Sequence, residues 1–189
     1  MDRRHEILVA ANQSFTLFGY KATTMDQVAR MANVGKGTIY TFFANKDVLF
    51  QEIVISMIEE MKTQTEKAID TKAPFLDNAH NILMSLLQFR EMHKLYAKLV
   101  EEGHAIRTPQ VENMLVKVES AVVSYLASKI QIAIDKGEIK TCNPQQVAFL
   151  LFKAYLAFVV EWPETHQTEL DETTIVNLFK NTLFGGLTP

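Results

Sequence analysis

Residues 23–49 read TTMDQVARMANVGKGTIYTFFANKDVL, and this stretch decides the fold of the N-terminal part of the chain. Thr24 followed three residues later by Gln27 forms a capping box, in which the hydroxyl accepts a backbone N–H and the amide reaches back to the cap. A short helix is therefore predicted after Thr24, ending by Asn33, a residue that tolerates the left-handed conformation. Gly35 begins a second short helix, predicted over residues 36–42. Two short helices joined by a turn of three or four residues have helix-turn-helix proportions.

The second of these helices carries side chains suited to the major groove of DNA. Ile39 is expected to point into the core, and Gly37 would let the backbone approach a base or a phosphate closely. Threonine and tyrosine hydroxyls can bond phosphates or base edges, while methyl groups or a phenyl ring can touch a thymine methyl. The positions that can face DNA are Lys36, Gly37, Thr38, Tyr40, Thr41 and Phe42.

A few of these residues keep a second interpretation. Thr24 can be a helix cap alone, and Tyr40 or Phe42 can be packing residues. Lys46 is expected at the start of a long helix, where its charge adds to the positive end of the helix dipole and suits a phosphate.

The segment from about residue 3 to residue 50 resembles the TetR family of one-component repressors. The resemblance rests on the run GTIYTFFANKDVL at 37–49, in register with VARMANV at 28–34. Asn33 stands where glycine is usual in the family, and Gly35 stands where serine often caps the second helix, which leaves that helix without a side-chain cap. The resemblance implies that operator DNA is contacted by Thr24, Lys36, Thr38, Tyr40, Thr41 and Lys46.

Apolar residues recur at spacings of three and four along nearly the whole chain, which predicts an all-α fold. We predict two domains: a three-helix helix-turn-helix DNA-binding domain at 1–46, and a helical ligand-binding and dimerisation domain at 47–189, the role that the resemblance implies for this part. The other helices are predicted at 3–18, 46–70, 74–90, 109–137, 144–162 and 171–184. One further helix follows residue 90 and ends at about residue 102, and a loop is predicted over 103–108.

The C-terminal part is rich in methionine and aromatic residues, which favours a plastic pocket for an apolar or amphipathic effector. Ordinary core packing is the alternative for each of them. The candidate ligand contacts are Met61, Met84, Phe89, Tyr96, Met114, Val118, Tyr125, Phe152 and Tyr155.

The segments 144–161 and 171–185 are predicted to form a homodimer interface. The first is apolar almost all round, so one face can meet the core and another a second subunit. Packing within one chain is the alternative. Glutamate at Phe179 and Leu183 is expected to yield monomers.

The charge distribution argues against a protein that binds nucleic acid over its whole surface. The net charge is −3, with +2 over residues 1–50 and −5 over the remainder. A constitutive architectural DNA binder would be basic throughout, whereas a basic head on an acidic body can approach phosphates locally.

Motifs for catalysis or metal binding are missing from the sequence. There is no glycine-rich phosphate loop, nucleophile elbow or standard metal-ligand spacing, so we expect no enzyme, no cofactor and no metal site. His93 and His104 flank Glu101 and Glu102, so a metal site is conceivable there. Their spacing matches no standard ligand pattern, and the two carboxylates are expected to be solvated.

The single cysteine, Cys142, permits no intramolecular disulfide, and the apolar stretch at 147–160 is too short to span a bilayer. A cytoplasmic location is expected. Taken with the resemblance, these features predict a ligand-responsive regulator, by family default a repressor, that leaves a palindromic operator when it binds its effector.

Overall fold

The computed structural model describes residues 2–187, apart from the side chains of residues 90 and 91, and every regular element within these bounds is a helix. The predicted all-α fold is thereby confirmed. A π-helical turn at Ala157–Glu161 joins α8 to α9, and another at Phe179–Phe184 follows α10. The α-helices are α1 (Arg3–Ala22), α2 (Met25–Met31), α3 (Lys36–Phe42), α4 (Lys46–Ala68), α5 (Phe75–Leu87), α6 (Arg90–Ile106), α7 (Pro109–Asp135), α8 (Pro144–Leu156), α9 (Trp162–His166) and α10 (Glu172–Leu178).

Several helix starts follow directly from local sequence. The side chain of Thr24 accepts the N–H of Gln27 at 3.2 Å, and that of Asn143 accepts the N–H of Gln146 at 3.1 Å. Each bond satisfies one of the N–H groups that the first turn of a helix leaves without an internal partner. Asn33 has a φ of 53°, the left-handed conformation expected for the residue that ends the first helix of the pair.

The chain divides into two compact units, and their division does not follow the predicted boundary at residue 46. The first unit comprises Met1–Glu59 and Glu91–Val118, and the second comprises Glu60–Arg90 and Glu119–Pro189. The helices α4 and α7 therefore each contribute residues to both units. The functional division into 1–46 and 47–189 stays a prediction.

The core of the first unit explains why its boundary lies beyond residue 46. The ring of Phe50 from α4 lies 5.1 Å from that of Phe15 and 4.8 Å from that of Tyr20. Leu49 beside it is fully buried. Buried aromatic rings in tilted and edge-to-face arrangements stabilise a core beyond the area that they bury. The first turns of α4 thus belong to the core that supports α1, α2 and α3.

Two clusters form the core of the second unit, and one of them changes the interpretation of Phe179. That residue is 2% exposed and packs with Leu83, Leu87 and Phe184. Phe179 therefore lies in the core of its own chain, and the expectation that glutamate at Phe179 and Leu183 yields monomers stays a prediction. A charge at that position would be buried in the chain's own core, which costs stability before it tests any interface.

The predicted loop over 103–108 is helical as far as Ile106, because Gly103 serves helix packing rather than a turn. A Cβ at Gly103 would lie 3.2 Å from Cδ1 of Leu115. The glycine therefore lets α6 approach α7 closely while it remains helical.

Residues 144–166 form one continuous helix of 23 residues, which extends beyond the apolar stretch at 147–160 that the sequence marked as too short to span a bilayer. By length and composition alone the helix could cross a membrane, with a mean hydropathy of 1.3 in its most apolar segment. One helix of this kind is weak evidence for a membrane span.

Candidate nucleic-acid interface and effector cavity

The turn between α2 and α3 is built from backbone hydrogen bonds. The N–H of Asn33 donates to the carbonyl of Arg30 at 3.1 Å, and that of Val34 donates to Ala29 at 2.9 Å. Gly35 occupies the N-cap of α3 without a side-chain hydrogen bond, as the sequence predicted. Ile39 is fully buried, so the opposite side of α3 is directed away from the core.

The outward face of α3 carries the residues that the sequence assigned to DNA. Tyr40 is 45% exposed and Phe42 is 41% exposed, so neither is an ordinary packing residue within this chain. Lys36, Gly37 and Thr41 are exposed, and a Cβ at Gly37 would meet nothing within 4 Å. Thr38 is half-buried. The geometry brings these six positions together on one short helix, and their contact with DNA stays a prediction.

Lys36 forms an exposed ion pair at the start of α3. Its ammonium donates to the carboxylate of Asp26 at 3.0 Å, and both side chains are more than half exposed. This hydrogen bond raises the pKa of Lys36 above its ordinary value. An exposed pair of this kind contributes little to stability, so the ammonium is free to exchange Asp26 for a phosphate.

Lys46 occupies a different environment from the one expected for a phosphate contact. Its Nζ donates to the carbonyls of Tyr20 and Thr23 at 2.8 and 2.9 Å, and it lies 4.3 Å from the centre of the Tyr20 ring. Burial lowers the pKa of Lys46, while Glu102 and Asp47 act against that shift. Its ammonium thus bonds the carbonyls at the end of α1, where cations are favourable.

We expect Lys36→Ala and Lys46→Ala to separate these two environments. Lys36→Ala should leave the melting temperature nearly unchanged and reduce the salt slope of operator binding by about one unit for each bound subunit, because each subunit loses one phosphate contact. Lys46→Ala should lower the free energy of unfolding by about 1–3 kcal/mol, because buried carbonyls lose a charged donor. Thermal unfolding and binding titrations at several salt concentrations measure both. An unchanged salt slope for Lys36→Ala would exclude it as a phosphate contact.

A buried carboxylate below the end of α1 was missed by the sequence analysis, which expected Glu102 to be solvated. Glu102 is 5% exposed. Its carboxylate accepts the N–H of Lys21 at 3.0 Å and the hydroxyl of Thr108 at 2.9 Å. It ties α6 to the end of α1 within the first unit. No local signal could reveal this contact, because Glu102 and Lys21 are 81 residues apart in the sequence.

The second unit contains a cavity of about 340 Å³, within the range of roughly 300–1,000 Å³ that small-molecule sites occupy. Its wall includes four of the nine predicted ligand contacts. They are Met61, Tyr125, Phe152 and Tyr155. Ligand binding by these four residues stays a prediction.

The other five predicted contacts do not line this cavity. Tyr96, Met114 and Val118 belong to the first unit, where each is buried. Met84 packs against the Phe179 cluster in the second unit, and Phe89 is half-buried just beyond α5. The candidates were chosen because this part of the chain is rich in methionine and aromatic residues, but composition carries no information about which inner surface borders empty space.

Polar groups meet at one side of the cavity, around Tyr125. Its hydroxyl accepts from Thr65 at 3.0 Å and donates to the carboxylate of Glu66 at 2.7 Å. Lys129 pairs with the same carboxylate at 2.6 Å. Burial, and then the bond to Glu66, raises the pKa of Tyr125 to about 12, so this hydroxyl remains a donor at neutral pH.

His93 and His104 were the sequence's only candidates for a metal site. Across residues 2–187, excluding the two side chains outside the description, no three His, Cys, Asp or Glu side chains are arranged to hold a metal ion. Glu102, which lies between them in the sequence, is occupied by Lys21 and Thr108.

Comparisons with known proteins place this architecture in a family. A family model described as bacterial regulatory proteins, tetR family, matches residues 7–53. The HTH-type transcriptional regulator YhgD of Bacillus subtilis (strain 168) is 45% identical over 187 residues, which are 99% of this chain and 97% of that protein.

Solved structures share the fold along the whole chain. The fatty acid degradation regulator FadR from Bacillus halodurans has a TM-score of 0.74 and 21% identity, with 98% of this chain and 96% of that one covered. SmeT in complex with triclosan has a TM-score of 0.78 and 16% identity, with 100% and 93% covered. The matched family model covers the two helices of the helix-turn-helix, and YhgD is similar over nearly its full length. The chain therefore belongs to the TetR family of bacterial transcriptional regulators.

Proposed function

We propose that this regulator binds a near-palindromic operator as a homodimer and represses transcription until a small apolar or amphipathic effector occupies the cavity of the second unit. The observation that carries the DNA-binding part is the exposed face of α3, with two aromatic side chains turned outward. The cavity supports the effector part, and SmeT, which shares this fold, is solved with the small molecule triclosan.

The helix α4 offers a physical route between the two activities. Its residues 46–59 belong to the first unit, and the remainder belongs to the second. Near its start, Asp47 accepts a hydrogen bond from the hydroxyl of Tyr20. Met61 and Thr65, further along the same helix, line the cavity. A helix is stiff over this length, so an effector that displaces the cavity part of α4 would alter the support of α1 and α3.

Exposed apolar residues on α8 and α10 support the homodimer. Phe149 and Leu150 are 45% and 54% exposed, and Leu178 is 37% exposed. Only 17% of the most apolar 18-residue segment of the continuous helix at 144–166 is buried inside the chain. A face of this kind, in a DNA-binding protein expected in the cytoplasm, is best explained as the contact with a second copy.

We expect Leu150→Glu combined with Leu178→Glu to convert the protein into folded monomers. Both side chains are exposed in the single chain. The introduced carboxylates should therefore destabilise a contact between subunits more than they destabilise the chain's own core. Sedimentation equilibrium measures the mass, and circular dichroism checks the helix content. Val116→Glu is the matched control, because Val116 is 68% exposed and lies outside the proposed interface. A double variant that still sediments as a dimer would place the interface elsewhere.

The proposed function is tested by reciprocity between operator and effector. If both act on one equilibrium between two conformations, the operator must weaken effector binding by the factor by which the effector weakens operator binding. A factor of about 5–150 is typical of such coupling. Calorimetry with an effector recovered from the natively purified protein, with and without operator DNA, measures both affinities. Equal effector affinity in the two titrations would show that the cavity does not control DNA binding.

A further inference from the structure

The wall of the cavity offers few hydrogen-bonding groups to a ligand, because most of its polar side chains already have partners. The hydroxyl of Tyr155 donates to the carbonyl of Leu86 at 3.2 Å. Asn78 donates to two carbonyls and accepts the N–H of Asp70. Tyr125 and Thr65 bond each other. The cavity wall is therefore suited to an apolar chain rather than to a polyhydroxylated or heterocyclic molecule that needs many hydrogen bonds.

Much of the buried lining of the cavity is hydrocarbon. Leu83, Phe152, Phe179 and Phe184 line it and are each at most 6% exposed. Removing apolar ligand surface from water against such groups contributes about 25 cal/mol per Å². An aliphatic or aromatic tail would therefore gain most of its affinity here.

Five charged residues border the same cavity, three positive and two negative, so their charges do not cancel. Lys129 pairs with Glu66, and Lys136 lies 3.8 Å from Glu138. Lys62 lines the cavity from α4 and forms no ion pair within the part of the chain that the structure describes. The lining therefore carries one positive charge in excess, and that charge belongs to Lys62, a half-buried residue of an otherwise largely apolar lining.

We propose that the effector is an amphipathic monoanion, a carboxylate with an apolar tail, whose head pairs with Lys62 while its tail occupies the hydrocarbon end of the cavity. This inference rests on the proposed function, since it names the ligand class of the same cavity. An ammonium group without an ion-pair partner in the protein can form a charge-assisted hydrogen bond with one anionic group of a ligand. A cationic amphiphile would meet repulsion at Lys62, and a neutral one would leave that charge unpaired.

Three probes with the same tail separate the alternatives: dodecanoate and dodecyltrimethylammonium, each below its critical micelle concentration, and dodecanol, below its solubility limit. Calorimetry on the full-length protein should show that dodecanoate binds about tenfold or more tightly than either of the others. Lys62→Met should remove that preference and leave the affinity for dodecanol unchanged, whereas Lys62→Arg should retain it. Lys67→Met is the matched control, because Lys67 is exposed on the same helix and does not line the cavity.

The inference is overturned if dodecanol binds as tightly as dodecanoate, if Lys62→Met binds dodecanoate as wild type does, or if no dodecanoate binds. These results leave the proposed function standing when a neutral or cationic molecule fills the cavity and releases operator DNA. Conversely, dodecanoate can bind through Lys62 without any effect on operator affinity. That outcome would retain the ligand class and contradict the proposed function.

Discussion

Gly19→Ala is expected to lower the free energy of unfolding by about 2–6 kcal/mol. Gly19 interrupts α1 with φ 78° and ψ 174°, a region that is almost exclusive to glycine and costs other residues about 1–3 kcal/mol. A Cβ there would also lie well inside van der Waals distance of Oε2 of Glu102. Displacing that carboxylate leaves buried donors unsatisfied, at about 1–3 kcal/mol more.

Two controls assign the parts of this effect. Gly137 also has a positive φ, of 70°, but a Cβ there meets nothing within 4 Å, so Gly137→Ala should cost only the backbone strain of about 1–2 kcal/mol. In a Glu102→Ala background, Gly19→Ala should likewise lose its steric part, and a double-mutant cycle measures the difference. Denaturant unfolding at one fixed protein concentration provides all of these values. Additive effects of Gly19→Ala and Glu102→Ala would contradict the proposed clash.

Gly37→Glu is expected to weaken operator binding by at least about a hundredfold while leaving the fold intact or slightly more stable. The position is open on the outward face of α3, and a carboxylate there would confront the DNA, where juxtaposed like charges cost several kcal/mol. Glutamate near the start of a helix is favourable to the helix dipole and has a better helix propensity than glycine, by up to about 1 kcal/mol. Operator affinity and stability should therefore change in opposite directions.

Fluorescence anisotropy with labelled operator and thermal unfolding measure the two quantities. Gly37→Ala keeps the gain in helix propensity without the charge, so its operator affinity should fall far less. Ser120→Glu adds the same charge at an exposed position of α7, outside the predicted DNA-binding domain at 1–46, and should bind operator like wild type. Wild-type operator affinity in Gly37→Glu would mean that α3 does not enter the groove.

The sequence by itself determined the all-α fold, the helix starts that Thr24 and Asn143 cap, and the outward face of α3. Thr24, Asn33 and Asn143 act through hydrogen bonds or backbone angles within a few residues, so their roles can be read from neighbouring letters. The burial of Ile39 follows from the helical period in the same way. The family could be recognised early because this local pattern includes the residues that would meet DNA.

Only the tertiary structure decided which distant groups share a space. Glu102 was expected in solvent but lies against Lys21, and Phe179 was expected at a subunit surface but lies in the core of its own chain. Lys46 bonds the carbonyls at the end of α1, a contact that spans more than 20 residues. Helical periodicity predicts that a residue faces inward. Which residue it contacts, and whether a cavity remains beside it, depends on how helices that are far apart in the sequence pack together.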